Sequence, residues 1–428
     1  MITVEDLQYA INTTVATHAK AHQCTTNLPL LSAIGHVLAE EIKAGFDIPR
    51  QNLSAMDGFA LGAGSALDGG SSFVVVGESC AGKPYHGVVG VGQAVRIFTG
   101  AVVPDGCDNV VMQENTDWDD VKHIIDKSSS YTITLTKQSH LGNNIRCQGE
   151  EVAVGECVLT VGKRLNPTDI SLLANLGVAN VVVNRPLIVG ILATGDELVN
   201  VGEGLPGLAN IYNSNTPTLK TLLRDLPITI KDYGIIPDDL TQTCQVIEQA
   251  VHECDVVVSS AGVSVGDYDF LTHAIDKLGK ITHYKVAMKP GKPFVFGELY
   301  DKADNSKTVL YFGLPGNPLS CVVGCLQFII PALWRLSGVR DDDLPKRLTL
   351  KATLSHDIKK RAGRKEFMRG VYQQDEFGRC VVQAVGVQDS HRIKQLSLAN
   401  CFIVADKDSE GYALGDEIAI EPFGWGLY

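Results

Sequence analysis

The chain lacks several features that would assign it to a common functional class. Its formal net charge of -12 over 428 residues argues against binding nucleic acid through a general basic surface. Its eleven cysteines, spread from Cys24 to Cys401, form no C-x-x-C pair. The N-terminus, MITVEDLQYA, has neither a charged n-region nor an apolar h-region. We therefore expect a reduced, cytoplasmic chain that binds no nucleic acid and enters no membrane.

Nucleotide-binding motifs are also missing. No Walker motif G-x-x-x-x-G-K-[ST] occurs, and the G-x-x-G-x-G at Gly87 to Gly92 lies in a β-rich stretch without a following helix. The most apolar segment, PLSCVVGCLQFIIPALWRL from Pro318 to Leu336, contains a Gln and a Pro in mid-run. Because the surrounding pattern is α/β, we predict a buried helix there and no membrane span.

The start of the chain predicts an amphipathic helix. Thr3 and Asp6 resemble a capping box, and apolar residues then recur at helical spacing from Leu7. The same helix carries His18 and His22, an i, i+4 pair that could bind a metal. No Glu follows the first His, so two solvated histidines are the favoured interpretation.

The remaining pattern predicts a multidomain α/β plus β fold. From about residue 41 to 161, short β-like runs (FVVVG, AVRIF, NVVMQ and YTITLT) are broken by Gly, Pro, Asp and Asn, which predicts an all-β module. From Pro186 to Leu336, strands alternate with helical segments of 11 to 16 residues, which indicates βαβ units on a largely parallel sheet. From Leu348 onward short strands return and predict a small C-terminal β-barrel.

Acidic residues follow three predicted strands of the α/β region. They lie in TGDEL, IIPDD and SSAGVSVGDYD and are Asp196, Glu197, Asp238, Asp239, Asp267 and Asp269. Ligands of open parallel sheets bind beyond the carboxyl ends of the strands. Like charges gathered there repel unless a cation or ligand offsets them, so the set favours a binding site. For any one of these loops taken alone, an N-cap for the Asp and an ordinary turn for the Gly are the favoured interpretation.

Two loops rich in Gly and Pro suit an anion. MKPGKP, at Met288 to Pro293, and GLPGNP, at Gly313 to Pro318, fix the backbone and leave N-H groups free, and the lysines add positive charge. A plain solvated turn is an equally good interpretation of the lysine loop. In the β-module, SAMDGFA at Ser54 to Ala60 favours a hairpin turn when its pattern is taken alone.

Seven motifs occur in a fixed order along the chain: SAMDGFA, IFTGAVVP, NIRCQGEE, TGDEL, SSAGVSVGDYDF, KPGKPFVFG and GLPGNPLS. Together they resemble the MoeA family, the molybdopterin molybdenumtransferases, whose eukaryotic relative is the E domain of gephyrin. GVQDSH at Gly386 to His391 and LANCFIV at Leu398 to Val404 extend the resemblance into the tail. SAGVSVGDYD alone is shared with the smaller molybdopterin adenylyltransferases, so the ordered set carries the resemblance.

The resemblance implies a four-part, elongated protomer that forms a homodimer, with each active site shared between subunits. Its implied parts are a β-rich linking domain (25–46 and 147–177), a β-barrel-like domain carrying SAMDGFA (47–146), a MogA-like α/β catalytic domain (1–24 and 178–336) and a C-terminal β-barrel domain (337–428). The implied reaction inserts molybdate into adenylylated molybdopterin and releases AMP, with Mg²⁺ as cofactor. The molybdopterin adenylyltransferase is an implied partner.

The resemblance also implies functional positions. The catalytic set is Asp57, Thr99, Glu197, Asp238, Asp269, Lys285 and Lys289. The substrate-binding set is Gly262, Val263, Ser264, Lys292, Pro315, Pro318, Arg146, Glu151 and Ser390. Where the family commonly has Gly-Glu-Asp, this chain has Gly149, Glu150 and Glu151, so Glu151 keeps the charge but reaches one methylene further.

We hypothesise a division of labour among these residues. Glu197, Asp238 and Asp269 would hold the metal, and the backbone N-H groups of residues 262–264 would bind phosphate, with Asp267 as the helix cap. Asp57 and Thr99 would position molybdate, since an aspartate near its usual pKa is a poor base at neutral pH. The alternatives are adenylyl transfer from ATP, a non-catalytic scaffold and a molybdate-binding module.

Overall fold

The computed structural model describes residues 1–19, 24–125, 129–261, 270–304 and 307–424. Its helices, in chain order, are α1 Val4–Ala19, α2 Trp118–Val121, α3 Pro167–Asn175, α4 Asn215–Leu223, α5 Leu240–Glu253, α6 Phe270–Leu278, α7 Pro318–Gly324, α8 Ile330–Leu336 and α9 Ile393–Ser397. Its strands are β1 Thr25–Pro29, β2 Ile42–Lys43, β3 Leu53–Ser54, β4 Gly58–Gly62, β5 Ser72–Ser79, β6 Gln93–Ile97, β7 Cys107–Met112, β8 Tyr131–Thr134, β9 Ile145–Arg146, β10 Cys157–Leu159, β11 Asn180–Asn184, β12 Leu187–Thr194, β13 Leu198–Val199, β14 Ile211–Tyr212, β15 Ile228–Ile236, β16 Val256–Ser260, β17 Gly279–Lys285, β18 Met288–Lys289, β19 Pro293–Tyr300, β20 Thr308–Leu314, β21 Leu350–Leu354, β22 Ile358–Lys359, β23 Lys365–Gln374, β24 Cys380–Ala384, β25 Cys401–Ala405, β26 Gly411–Tyr412 and β27 Glu417–Pro422.

The opening helix α1 begins at the predicted capping box. Thr3 Oγ1 accepts a hydrogen bond from the Asp6 N-H at 3.0 Å and donates one to Asp6 Oδ2 at 2.7 Å. Thr3 therefore satisfies a backbone donor that the first turn would otherwise leave free. The prediction that His18 is solvated is wrong, because its side chain is only 12% exposed and its Nε2 lies 2.6 Å from Glu298 Oε1. His22 lies outside the described residues.

The chain divides into two compact units. Met1–Glu40, Val161–Ser171 and Val178–Tyr428 form the first unit, and Glu41–Thr160 with Leu172–Gly177 form the second. The second unit is built on a five-stranded sheet in the order β7-β4-β6-β5-β8. Phe59, Phe73 and Trp118 pack in its core. These strands confirm the predicted β-rich module, since β5, β6, β7 and β8 each coincide with one of the four short apolar runs.

The first unit contains the predicted α/β layer. Its six-stranded sheet runs β15-β12-β16-β20-β19-β17, with the first four strands parallel and the last two antiparallel to their neighbours. The sequence VVVSS of β16 is buried at every position, as expected of a parallel strand covered on both faces. Helices α5 and α6 pack on one face, and α1, α4 and α7 on the other. The carboxyl ends of the parallel strands therefore share one edge.

The long apolar segment is a core helix, as predicted. It comprises α7, a π-helical turn at Cys325–Ile329, and α8. Within the described part of the chain, it is the single helix that is long and apolar enough to cross a membrane, and 78% of it is buried inside the protein. Gln327, in the π-helical turn, donates to Glu421 Oε2 at 2.8 Å and so ties the helix to β27.

The C-terminal strands close into a barrel, which confirms that part of the predicted fold. They follow the order β23-β24-β21-β27-β25, and β25 pairs back to β23. The short strand β18 from the α/β region adds to this sheet by pairing in parallel with β23, with Met288 opposite Lys365. The Lys365 N-H also donates to the Ala287 carbonyl at 2.8 Å. The α/β layer and the barrel are thus joined by a shared strand ladder.

Candidate active site

The SAMDGFA segment of the second unit presents an anchored carboxylate. Asp57 Oδ1 accepts hydrogen bonds from the Thr99 backbone N-H and from Thr99 Oγ1, both at 2.8 Å. Both residues are exposed. These two hydrogen bonds hold the pKa of Asp57 below its ordinary value, with Arg96 contributing less. The structure therefore brings the predicted pair Asp57 and Thr99 together as a fixed, ionised group facing solvent.

The glycine after Asp57 serves a different purpose from the predicted hairpin turn. Gly58 is the first residue of β4, and its φ is not in the left-handed region. A Cβ at this position would lie 1.8 Å from the Val111 carbonyl oxygen of β7. Only glycine therefore lets the two strands approach this closely and set the start of β4 beside Asp57.

Two other predicted residues of this unit line one cavity. Arg146 and Glu151 lie around a space of about 1030 Å³, together with Arg50 and Glu150. Glu150 Oε2 accepts the Cys147 N-H at 2.7 Å, whereas Glu151 is bound through its backbone N-H to the Ile48 carbonyl. The carboxylate of Glu151 is exposed and forms no ion pair within the described residues. Glu150 thus closes the turn, and the Glu151 side chain stays exposed at the cavity.

In the first unit, the acidic residues at the strand ends have different structural roles. Asp239 caps α5 by accepting the Gln242 N-H at 2.7 Å. The ends of β12 and β15 are adjacent, with Thr194 opposite Ile236. Across these ends, Asp196 Oδ1 accepts the Asp238 N-H at 3.1 Å. The N-cap interpretation is therefore right for Asp239, while Asp196 orients the loop that carries Asp238.

Glu197 folds back over the glycine of its own loop. Gly195 has a φ of +134°, and a Cβ there would lie 2.5 Å from Glu197 Oε2. The glycine thus provides both the backbone conformation and the space for this carboxylate. Glu197 and Asp238 are both exposed at neighbouring strand ends. Four further predicted positions, Gly262, Val263, Ser264 and Asp269, lie outside the described residues, as does Asp267.

The strand-end carboxylates offer oxygen donors of the type that a hard divalent cation takes. Mg²⁺ takes oxygen ligands and is usually held by one or two carboxylates, with water and phosphate oxygens completing its shell. Glu197 and Asp238 supply two carboxylates at one sheet edge. No group of three or more His, Cys, Asp or Glu side chains suited to a metal occurs in the described ranges, and Asp269 falls in the gap at 262–269. The donor set fits a metal that relies on its substrate for further ligands.

Another cavity, in the first unit, is lined by several basic side chains. It measures about 570 Å³ and is lined by Met288, Lys289, Pro290, Gly291, Lys292, Pro293, Pro315, Asn317, Ser320, Arg364, Gln388, Asp389, Ser390 and His391. Four of the predicted residues meet here, namely Lys289, Lys292, Pro315 and Ser390. Lys289 Nζ is engaged by Glu366 Oε2 at 3.2 Å. Within the described chain, Lys292 and Arg364 form no ion pair.

The remaining predicted residues lie next to this cavity without lining it. Pro318 is the first residue of α7, where the absent N-H costs no helical hydrogen bond. Leu319, which follows it, donates to the Ser390 carbonyl at 3.3 Å and so joins α7 to the GVQDSH loop. Lys285 ends β17 opposite Pro293 and is exposed. The structure does not bring Lys285 into the cavity with Lys289.

Arg364 and Asn215 were missed by the sequence reasoning. Arg364 enters the cavity from the segment that precedes β23, far from MKPGKP in sequence. The basic run RAGRK was the one signal for it. Asn215, at the start of α4, is 7% exposed and donates to the Gly316 carbonyl at 2.8 Å. Asn215 thus fixes the GLPGNP loop through its Nδ2 donor. Its Oδ1 acceptor is buried and has no hydrogen-bond partner within the described chain.

Family models match most of the chain in three consecutive segments. Residues 2–177 match the MoeA N-terminal region (domains I and II), and residues 190–335 match a probable molybdopterin binding domain. Residues 351–423 match the MoeA C-terminal region (domain IV). The matched segments cover both compact units, including the Asp57 turn, the strand-end acids and the basic cavity.

Full-length relatives agree with these matches. A molybdopterin molybdenumtransferase from Haemophilus influenzae is 38% identical over 399 residues, which cover 93% of this chain and 94% of the relative. One from Staphylococcus aureus is 34% identical over 400 residues, 91% of this chain and 89% of the relative. A crystal structure of the molybdopterin biosynthesis MoeA protein from Pyrococcus horikoshii is 28% identical, with a TM-score of 0.76 over 94% of this chain and 95% of that one. This chain therefore belongs to the MoeA family of enzymes, the molybdopterin molybdenumtransferases of molybdenum cofactor biosynthesis.

Proposed function

We propose that this enzyme inserts molybdate into adenylylated molybdopterin, hydrolyses the phosphoanhydride and releases AMP and molybdenum-bearing molybdopterin. The observation that carries the proposal is the basic cavity, where Lys292 and Arg364 meet without a carboxylate partner in the described chain. Cations without ion pairs in the described ranges, in a cavity that Ser320 and Ser390 also line, suit a tetrahedral oxyanion such as molybdate or phosphate. The net charge of -12 makes such a local site necessary for an anionic substrate.

The described residues support distinct roles. Lys292 and Arg364 would bind oxyanion oxygens, with Arg364 able to contact two at once. Lys289 would be held in place by Glu366 and add charge at the rim, and the exposed Lys285 would meet the phosphate end of the substrate from outside the cavity. Pro315 and Pro318 would fix the loop wall, and the backbone of residues 262–264 would complete the phosphate cradle.

Asp57 and Thr99 would position the attacking oxygen. The lowered pKa of Asp57 makes its carboxylate a weak base at neutral pH, so proton abstraction is not its task. A carboxylate fixed through one oxygen leaves its other oxygen free to orient a water or a protonated oxyanion. Thr99 would act on the reaction through Asp57.

Glu197, Asp238 and Asp269 would hold Mg²⁺. When bound, the metal would polarise the phosphoanhydride and neutralise charge on the departing AMP. Neighbouring residues would place the two carboxylates for the metal. Asp196 fixes the loop that carries Asp238, and Gly195 leaves space for the Glu197 carboxylate. Titration with Mn²⁺, read by electron paramagnetic resonance, tests the assignment. Weaker Mn²⁺ binding by Asp238→Asn supports it, and unchanged binding contradicts it.

The reaction is tested by AMP release from purified protein given adenylylated molybdopterin. We expect release that requires both molybdate and magnesium. Pyrophosphate release from ATP and molybdopterin would instead favour adenylyl transfer, and stoichiometric molybdate binding without turnover would favour a storage or scaffold role. We also propose a cytoplasmic reaction supplied by a molybdopterin adenylyltransferase, for which co-sedimentation of the two proteins is the test.

Replacing Arg364 with alanine should raise the KM for molybdate by about 10- to 100-fold, the usual cost of a charge-assisted hydrogen bond of about 1.5–3 kcal/mol. The maximal rate at saturating molybdate should fall much less. Steady-state AMP release over a molybdate series measures both constants. Arg361→Ala is the matched control, because Arg361 is an exposed arginine of the same segment that does not line the cavity. Equal molybdate KM values for the two variants would contradict the role of Arg364.

We further propose a homodimer in which Asp57 and Thr99 of one subunit serve the basic cavity of the other. The prediction concerns Asp57→Asn and Arg364→Ala, assayed at a molybdate concentration far below the raised KM of Arg364→Ala, where each variant alone turns over slowly. Unfolded and refolded together, they should recover about one quarter of wild-type activity, since half of the random dimers would be mixed and each would hold one intact site. Refolding either variant alone is the control. Activity that stays at the level of the separate variants would show that each site is complete within one chain.

A further inference from the structure

Arg96, on β6 of the second unit, is a buried cation that the proposed mechanism does not use. Its side chain is enclosed, with 7% of the residue exposed. Nη1 donates to the Gly58 carbonyl at 3.3 Å, and Nη2 donates to Gln113 Oε1 at 2.6 Å. A buried charge is costly unless its donors are satisfied, so such a group calls for an explanation.

Aromatic faces take the place of a carboxylate partner. The guanidinium carbon lies 4.6 Å from the Trp118 ring centroid, 4.8 Å from that of Phe59 and 5.1 Å from that of Phe98. No described Asp or Glu oxygen comes within 4.0 Å of it. Burial lowers the pKa of Arg96, but a guanidinium stays protonated throughout the physiological range. The cation is thus stabilised without being neutralised.

Both hydrogen bonds of Arg96 support the Asp57 turn. Gly58 directly follows Asp57, and its carbonyl is held by Nη1. Gln113, held by Nη2, donates its own backbone N-H to the Asp57 carbonyl at 3.1 Å. Thr99 binds the Asp57 carboxylate separately, through its N-H and Oγ1. Arg96 therefore binds both Gly58, which follows Asp57 in the chain, and Gln113, which binds the Asp57 carbonyl.

We propose that Arg96 is a positioning residue for Asp57, holding its turn through hydrogen bonds to the Gly58 carbonyl and the Gln113 side chain and supplying a positive charge that acts on its carboxylate without an ion pair. The proposal rests on the function proposed above for Asp57. The planar fork of arginine is needed, since the Gly58 carbonyl of β4 and the Gln113 side chain just beyond β7 must be reached at once. A lysine would retain the charge and lose one of the two bonds.

The charge and the geometry have separable effects. Arg96 faces Asp57, Glu78, Glu114 and Tyr131, and it is the cation acting on Asp57. A positive charge favours the ionised carboxylate, so its removal raises the pKa of Asp57. The acid limb of the pH-rate profile, where the carboxylate gains its proton, would then move to higher pH. Loss of geometry alone would lower kcat without moving that limb.

The test compares Arg96→Lys with Arg96→Met in molybdate-dependent AMP release across pH. We expect both to lower kcat by about 10- to 100-fold, as small misplacements of a reacting group do, with KM unchanged. Only Arg96→Met should shift the acid limb upward. Arg164→Lys is the matched control, because Arg164 is a half-buried arginine that also lies on an aromatic ring, 4.1 Å from the Trp334 ring centroid. It should lose stability on thermal unfolding and keep wild-type kcat and pH profile.

Wild-type kcat in Arg96→Lys, together with an inactive Asp57→Asn, would overturn this proposal and leave the proposed function standing. Wild-type turnover by Asp57→Asn would instead remove the role of Asp57 itself. Where the Arg96 variants fail to fold, Gln113→Met decides, since it keeps the guanidinium and its aromatic contacts and removes one acceptor. We expect it to lower kcat with KM unchanged, and an unaltered kcat would overturn the proposal.

Discussion

Asp57→Asn is expected to lower molybdate-dependent AMP release by about 10²- to 10³-fold, the effect of losing one preorganised electrostatic group, while adenylylated molybdopterin stays bound. Asparagine keeps the oxygen that accepts both Thr99 bonds, so the turn should hold its shape and lose only the charge. Asp57→Ala should be at least as slow, because it loses the anchor too. Single-turnover AMP release and equilibrium binding of substrate together separate chemistry from binding.

The matched control for this prediction is Asp117→Asn in the same unit. Asp117 also accepts a backbone N-H, from Thr134 at 2.8 Å, but lies away from the SAMDGFA segment in sequence and lines neither cavity described above. It should keep wild-type turnover. The pKa of Asp57 lies below the ordinary value of 3.8, so the wild-type carboxylate stays ionised down to lower pH and activity falls only as pH drops through that lowered pKa. Normal AMP release by Asp57→Asn at neutral pH would exclude a charge-based role.

Gly58→Ala should destabilise the second unit severely. The added Cβ would meet the Val111 oxygen at 1.8 Å and the Met112 Cα at 3.0 Å, both backbone atoms that no rotamer change can move. Relief requires β4 and β7 to separate, so the cost should reach or exceed the upper end of the about 1–3 kcal/mol typical of overpacking. Urea unfolding followed by tryptophan fluorescence reports on this unit through Trp118, with the remaining tryptophans contributing a separate phase.

Gly45→Ala provides the comparison for Gly58→Ala. Gly45 lies in the same unit, and a Cβ there would meet no atom within 4 Å. Its φ is also outside the left-handed region. We expect Gly45→Ala to unfold at the wild-type urea concentration. Equal midpoints for the two variants would show that β4 and β7 can separate at little cost, and that Gly58 has no steric role.

Local pattern predicted the elements well because their causes are local. The Thr3 cap, the alternation of β12, α4 and β15, and the buried apolar helix each follow from neighbouring residues. Gly58 was assigned to a turn because its constraint comes from Val111, 53 positions away and invisible to spacing. His18 was placed in solvent for the same reason, since Glu298 is distant in sequence.

Residues of the candidate site were predictable where they lie within one of the sequence motifs. Asp57 and Thr99, and likewise Lys289 and Lys292, were found because the family motifs name them, and the structure adds what they contact. Arg364 was not found, since it joins Lys292 only after the barrel has closed and β23 has paired with β18. The assignments of Asp269 and of the 262–264 backbone stay predictions. Periodicity carries no information about which loops of separate domains meet.

The ladder between β18 and β23 has a consequence for domain engineering. Lys292 belongs to the α/β layer and Arg364 to the barrel, yet the two layers share a parallel strand ladder in which Met288 lies opposite Lys365 and Lys289 opposite Glu366. A chimera that exchanges the barrel must therefore recreate an inter-domain register as well as a linker. A slip of one residue would turn Lys365 toward the cavity side and Arg364 away. The distance between Lys292 and Arg364 depends on this strand register, so a chimera would keep that distance only if it kept the register.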